Sequence, residues 1–472
     1  MFKPNMMVCV IALALLPAAA RAQQTNQQLE EIRKQIQEMK DSYDTRIQAL
    51  EKQLKEAEEA AAKAQTAATQ AQSAAGQAKQ SAESATQATG LRPPASPSAF
   101  NPGLSLILMG GYYNSDQDPR TRTVTGFLGS DEYGLPDRGF DLGETELQIS
   151  ANVDHLFYGQ ATFAIEDGAI SAEEAFFQTT AIGYGLTVKG GRFFSSIGYF
   201  NSVHNHAWDF QDPALVQKAF LGDNFGLDGV QVSWIAPLSA VYIEVGGEGG
   251  KPVEFPFPDS FNNKNGFQVG TLFAHLGGDI GASSSYRFGV WGMTAENGLT
   301  NIDQPIPALD FTNTTNTLTG GSDNLWGLDF VYKWAPNGDP SYQNFKFVAE
   351  WMHRSLNGTL TSGANTGPFI ASQSGWYVQG VYQFHPYWRV GLRYDQMNEG
   401  SYDLGTGLGG APGLTPPDFT PRRWSAMVDW SPSEFSRFRL QFQQDKSQQG
   451  LTDNQVFLQY IFSLGTHGAH KF

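Results

Sequence analysis

His204, His206, Asp209 and Asp212 fall close together in the 472-residue chain. Imidazole nitrogens and carboxylate oxygens are the donors that a divalent ion such as zinc accepts. His204 and His206 are therefore the metal candidates, although the pattern lacks the fixed ligand spacing of a zinc motif. Hydrogen-bonding histidines are the plain alternative. The stretch around them, 196–225, also holds Ile197, Tyr199, Phe200, Trp208 and Phe210. So apolar a connection is out of place in water, which predicts a segment folded into the protein interior. Two further groups of charge stand apart in the chain, Glu144, Glu146, Glu166 and Glu174 early, and Arg389, Arg393, Arg423, Arg437 and Arg439 late. Neither a Gly-x-Ser-x-Gly elbow nor a spaced Ser/His/Asp set is present, so no enzyme and no cofactor are expected.

Three kinds of element precede or position these residues. Residues 1–22 read as a secretory signal, with Lys3 in the n-region, Met6 to Leu16 as the apolar core and Ala20-Arg21-Ala22 as the cleavage site. The single cysteine, Cys9, lies inside it, so no disulfide framework is possible. From 23 to 88, apolar residues recur at heptad spacing: Leu29, Ile32, Ile36, Met39, Tyr43, Ile47, Leu50 and Leu54, then alanines. This predicts a periplasmic α-helical coiled coil of roughly 90 Å, of two or three strands. Residues 89–101, with Pro93, Pro94 and Pro97, break it and form a linker.

From Gly103 the period changes to two. Thr145, Leu147, Ile149, Ala151 and Val153 share one face, and Glu144, Glu146 and Gln148 the other. Trp326, Leu328, Phe330, Tyr332 and Trp334 oppose Asp329 and Lys333. Trp424, Ala426, Val428 and Trp430 oppose Arg423 and Asp429. Apolar stripes ending in aromatics suit a bilayer with two interfaces. About sixteen such segments are expected, joined by connections that alternate long (114–140, 196–225, 249–266, 296–323, 355–373, 398–420) and short. The expected fold is an all-β transmembrane barrel of about 16 antiparallel strands over 102–472, preceded by the N-terminal coiled coil. Counting back in twos from Phe472 places Leu464, Phe462, Tyr460, Leu458 and Val456 toward lipid. Aromatics at 13% and 51 glycines fit this class. The net charge of −16 speaks against nucleic acid as a partner.

On the inward face, Glu144, Glu146, Glu166 and Glu174 form one wall, and the five arginines another. Like charges on neighbouring strands repel unless water separates them, so a wet lumen with a transverse field is expected. Salt bridges that brace the wall are the alternative. The 196–225 connection is the third external one and would narrow the lumen, with His204, His206, Trp208, Asp209 and Asp212 as its constriction residues. The segment from Phe100 carries 20 Lys+Arg against 37 Asp+Glu, so cations are favoured over anions.

Val188-Lys189-Gly190-Gly191-Arg192-Phe193-Phe194 and Leu227-Asp228-Gly229-Val230-Gln231-Val232-Ser233-Trp234 resemble segments of the phosphate-selective porins O and P and their divergent relatives. Leu458 to Phe472 looks like a proteobacterial branch with a His-containing tail. The resemblance implies a homotrimeric sixteen-stranded outer-membrane channel with a constricting third loop, passing small hydrophilic solutes. It implies contact with outer-membrane lipid and lipopolysaccharide. The third loop here is neutral to acidic, whereas phosphate-selective members carry a basic one. Two other functions fit the same residues: an envelope tether whose rod reaches toward peptidoglycan, and a channel for metal-ion uptake.

Overall fold

Alternation of apolar and polar side chains puts one apolar face on every strand, and a sheet of such strands has no edge once it closes. The computed structural model describes residues 102–119, 122, 124–127, 135–166, 169–253, 265–296, 316–362, 364–408 and 418–465. Before residue 102 it describes Lys34, Gln37, Lys40, Lys52 and Lys55, each helical and exposed. The signal, the remainder of the expected coiled coil, the linker and the tail with Phe472 lie outside the described residues. The chain divides into Met1–Pro97 and Ser98–Phe472, and all of the described strands belong to the second unit.

The strands are β1 (Gly103–Ser115), β2 (Gly139–Asp141), β3 (Thr145–Asn152), β4 (Phe157–Glu166), β5 (Ala169–Thr179), β6 (Leu186–Phe194), β7 (Gly226–Ile235), β8 (Tyr242–Pro252) and β9 (Val269–Ile280). They continue as β10 (Ser284–Glu296), β11 (Asn316–Thr319), β12 (Ser322–Trp334), β13 (Asn344–Ser362), β14 (Asn365–His385), β15 (Trp388–Leu404), β16 (Arg422–Ser433), β17 (Ser436–Lys446) and β18 (Asp453–Gly465). One helix, α1 (Leu215–Leu221), lies between β6 and β7. The strands pair antiparallel around the ring, with β10 pairing β9 and β12, and β1 closes the ring by pairing with β18 from Ser105↔Gly465 to Ser115↔Gln455. β2 and β3 both pair with β1 and form one interrupted strand. β11 and β12 both pair with β13 and are separated by Gly320 and Gly321 at φ +65° and +78°, a conformation that glycine adopts without strain. Counted this way the barrel has the sixteen strands expected.

The outward face is apolar and carries aromatic chains. Near the short turns, Trp388 stacks on Trp430 at 6.2 Å, Trp430 on Phe438 at 5.5 Å, and Phe438 meets Phe462 at 5.8 Å. Further along, Trp326 meets Trp351 at 4.6 Å, and Tyr394 joins Trp376 at 5.5 Å to Trp424 at 4.4 Å. Leu458, Phe462 and Leu464 face outward, as their parity predicts.

One expected loop is a strand pair. The 355–373 connection continues β13 and β14 as a ladder out to Ser362↔Asn365. Its Gly, Asn, Ser and Thr residues read as loop chemistry. Leu356, Leu360, Phe369 and Ala371 nevertheless fall on one face and bury with Leu318 and Leu408 in a small apolar cluster, which extends the hairpin.

Candidate functional site

Residues 195–225 leave β6 and run inside the barrel. Phe193, Ile197, Leu215, Val216, Phe220 and Phe225 pack into one apolar cluster with inward residues of the wall, among them Phe273, Trp291, Met352 and Tyr377. Asn201 holds the two ends of the segment together. Its side-chain amide donates to the carbonyls of Ser195 and Phe225, both at 2.9 Å, and its Oδ1 accepts from Phe225 N at 2.6 Å. Gly198 (φ +68°) turns the chain so that the amides of Tyr199 and Phe200 donate to Glu350 Oε1 at 2.7 and 2.8 Å. A Cβ at Gly198 would sit 3.4 Å from Glu350 Oε2, so a side chain would meet both the backbone strain and this carboxylate. The first turn of α1 has no side-chain cap of its own, and Asp395 of β15 accepts from Leu215 N at 2.9 Å instead.

The segment meets two walls of opposite charge. On the arginine side, Asp212 contacts Arg393 at 3.0 Å and Arg423 at 2.5 Å, and accepts from Gln441 and Gln443 at 3.0 and 3.2 Å. Burial pushes the Asp212 carboxyl up, but Arg423 and Arg393 outweigh it and hold the group at about 2. Asp209 pairs with Lys346 at 2.7 Å and Arg389 at 3.4 Å; these cations outweigh its burial and hold it below the ordinary value. Arg439 donates to the Trp208 carbonyl at 2.7 Å, Arg423 to the Pro213 carbonyl at 2.6 Å, and Arg437 to the His206 carbonyl. The Trp208 ring lies on Phe200 at 4.8 Å, with its Nε1 donating to Val203 O at 2.7 Å.

Across the lumen, His204 and His206 stack at 5.8 Å against the acid wall. His206 Nδ1 is 2.6 Å from Glu146 Oε1. His204 Nδ1 lies 3.4 Å from Glu146 Oε2 and 3.5 Å from Glu173 Oε2, and its Nε2 lies 3.1 Å from Glu174 Oε2. Burial alone would lower the His204 pKa; the Glu146, Glu173 and Glu174 carboxylates outweigh it and raise the group well above its ordinary value. Glu144 interacts electrostatically with Glu146 and Glu173. A cavity of about 250 Å³ opens here, with Glu146, Gln160, Glu174, Lys189, His204 and His206 in its lining.

The inward parity of the arginines is as expected, but their surroundings differ from those expected of a wet wall. Arg393, Arg423, Arg437 and Arg439 are each 1% exposed. They are covered by the 195–225 segment, and carboxylates and backbone carbonyls do the neutralising that water was expected to do. Arg389 keeps 20% side-chain exposure. Of the acid group, Glu146 and Glu174 meet the histidines, whereas Glu166 stands exposed at the end of β4.

Glu173 was not among the expected residues. The β4–β5 register jumps from Thr162↔Glu174 to Phe163↔Ala172, and this bulge turns Glu173 inward beside Glu174. Lys346 and Glu350 also join the site. Their place on the inner face was legible from alternation, but their partners were not.

No family model matches the chain. A protein of Aquifex aeolicus (strain VF5), described as uncharacterized, is 31% identical over 412 residues, covering 80% of this chain and 81% of its own. Among solved structures, a loop-deletion form of the outer-membrane protein OmpT of Vibrio cholerae is similar at TM-score 0.48 and 10% identity, over 78% of this chain and 100% of that one. The outer-membrane channel DcaP of Acinetobacter baumannii is similar at 0.47 and 13%, over 79% and 100%. OprB of Pseudomonas putida is similar at 0.46 and 14%, over 77% and 94%. The chain belongs to the family of the Aquifex aeolicus protein, and its described strands close into a sixteen-strand antiparallel barrel.

Proposed function

We propose that the barrel is an outer-membrane channel for passive diffusion of small hydrophilic solutes and ions, narrowed by the 195–225 segment. The observation that carries this reading is the closed ring itself. It is apolar with aromatic chains outside, and polar inside, which suits a bilayer around it and an aqueous path through it. The charges left in contact with that path decide the preference. Arg393, Arg423, Arg437 and Arg439 are buried, Arg389 keeps 20% side-chain exposure against 18% for Glu173, and the excess of 37 Asp+Glu over 20 Lys+Arg from Phe100 onward then sets the sign. Cations are therefore favoured over anions. Assembly as a homotrimer, as in the phosphate-selective porins that the sequence resembles, belongs to the same proposal.

The purified protein in planar bilayers tests this. Stepwise conductance is expected, with a reversal potential of cation-selective sign in a salt gradient. A protein inserted in the bilayer that gives no steps overturns the channel. A reversal potential of anion-selective sign overturns the assignment of the open wall.

A further inference from the structure

We infer that His204, Glu146 and Glu173 form a binding site for a divalent transition ion of the zinc class, with the fourth position open to the lumen cavity. The three donor atoms, one from each side chain, lie within 4.8 Å of one another. A tetrahedral ion with bonds of about 2.0–2.1 Å has donor–donor edges of roughly 3.3–3.5 Å. His204 Nδ1 is 3.4 Å from Glu146 Oε2 and 3.5 Å from Glu173 Oε2, which matches those edges. Two carboxylates and one imidazole also balance the charge of a divalent ion.

The surrounding groups support the same assignment independently. Glu173 Oε2 is buried, and the contact that it makes is the 3.5 Å one to His204 Nδ1, the edge that an ion would bridge. His204 turns its other nitrogen, Nε2, to Glu174 Oε2 at 3.1 Å. A carboxylate behind a metal-bound imidazole fixes the ring and leaves the opposite nitrogen to the ion. Glu174 is itself held, accepting from Gln160 Nε2 at 3.1 Å and from Phe194 N at 3.2 Å. His206 Nδ1 sits on Glu146 Oε1 at 2.6 Å, so it orients that ligand and leaves Oε2 for the ion.

The ligand set expected from spacing, His204 with His206, is thereby revised: His206 is a positioning residue, and the bulge residue Glu173 takes its place. An imidazole donor selects zinc-class ions over calcium and magnesium, which prefer all-oxygen shells. The site concerns the same lumen as the proposed channel, but binding does not require flow. Its failure and the failure of the channel are read separately.

The test is equilibrium dialysis of the full chain, solubilised in detergent, against Zn²⁺ alone, with metal content measured per chain. The wild type is expected to take up one ion that excess Ca²⁺ or Mg²⁺ does not displace. His204→Ala and Glu173→Gln are expected to lose it. Glu174→Gln and His206→Ala are expected to weaken it by about 10–100-fold. Heat-modifiable gel migration reports whether each variant is a closed barrel. Co²⁺ bound to the wild type gives a second reading that needs no variant, namely the intense visible absorption of a tetrahedral site. No uptake by the wild type, or equal uptake by a folded His204→Ala, overturns the site.

Discussion

On the arginine side of the lumen, Arg393 and Arg423 converge on Asp212 with two glutamines completing its hydrogen bonds, and both guanidiniums are 1% exposed. On the acid side, three carboxylates converge on His204, and the imidazole and Glu173 each keep 18% side-chain exposure. Both walls gather charge of one sign on neighbouring strands. They differ in how the 195–225 segment answers it. Toward the arginines it offers carboxylates and backbone carbonyls in good geometry and excludes water. Toward the glutamates it offers two histidines and leaves a cavity. The first arrangement fixes the segment; the second leaves Glu146, Glu174 and both histidines lining a cavity.

If this division is right, the largest effect comes from breaking the closed side. Asp212→Ala leaves Arg393 and Arg423 buried with Asp395 alone as their carboxylate, at 3.2 and 3.4 Å; removing the only partner of a buried charge costs about 3–5 kcal/mol, which is the upper bound here. The thermal midpoint of the detergent-solubilised barrel, followed by heat-modifiable migration, is expected to fall clearly. Single-channel conductance is expected to rise as the segment leaves the wall. His206→Ala, on the open side, is expected to move the midpoint less. A reversed order would mean that the histidine side, not the arginine side, anchors the segment.

Acid titration sharpens the same contrast with a smaller effect. The Asp212 carboxyl is held at about 2, below its ordinary value of 3.8. A depressed carboxyl contributes stability that is fully present above the ordinary value and is lost as pH falls through the folded one. That contribution is about 2 kcal/mol, since each unit is worth about 1.4 kcal/mol. The difference in midpoint between wild type and Asp212→Asn is therefore expected to stay constant from about pH 7 to pH 5 and to shrink below about pH 4. A difference that already shrinks near pH 6 would assign the anchoring to another group.

Much of this was legible in the sequence because strand periodicity is strict. Arg437, Arg439, Gln441, Gln443 and Asp445 fall on one face by counting alone, and all five bury inward. Leu458, Phe462 and Leu464 fall on the other and face out. The apolar character of 196–225 foretold its inward fold. What counting could not supply were departures from the period and contacts across the ring. Glu173 turns inward only because of the bulge between β4 and β5, and a one-residue insertion reverses every parity beyond it. Asp212 finds Arg393 and Arg423 across some 200 residues of sequence, and no local pattern names such partners. For the same reason the arginine wall read as wet: the sequence shows its charges, and only the folded segment shows what covers them.

The smallest expected effect comes from a pair that shares the chemistry of the buried ones but not their surroundings. Arg192 forks onto Asp228 between β6 and β7, with Nε 2.7 Å from Oδ1 and NH2 2.9 Å from Oδ2. The geometry is as good as that of Arg423 with Asp212, yet the side chains are 32% and 42% exposed. The pair has the outward parity of Val230 and Val232, near the ends of β6 and β7 that the 195–225 segment joins, and that segment does not cover it; in the detergent-solubilised barrel it therefore gains little from closure and leaves little uncompensated when broken. Asp228→Asn is expected to cost no more than about 1 kcal/mol, and salt is expected to diminish even that. If its midpoint fell as far as that of Asp212→Ala, pairing geometry rather than burial would set the strength of these contacts. The contrast between the covered and the open wall would then lose its physical basis.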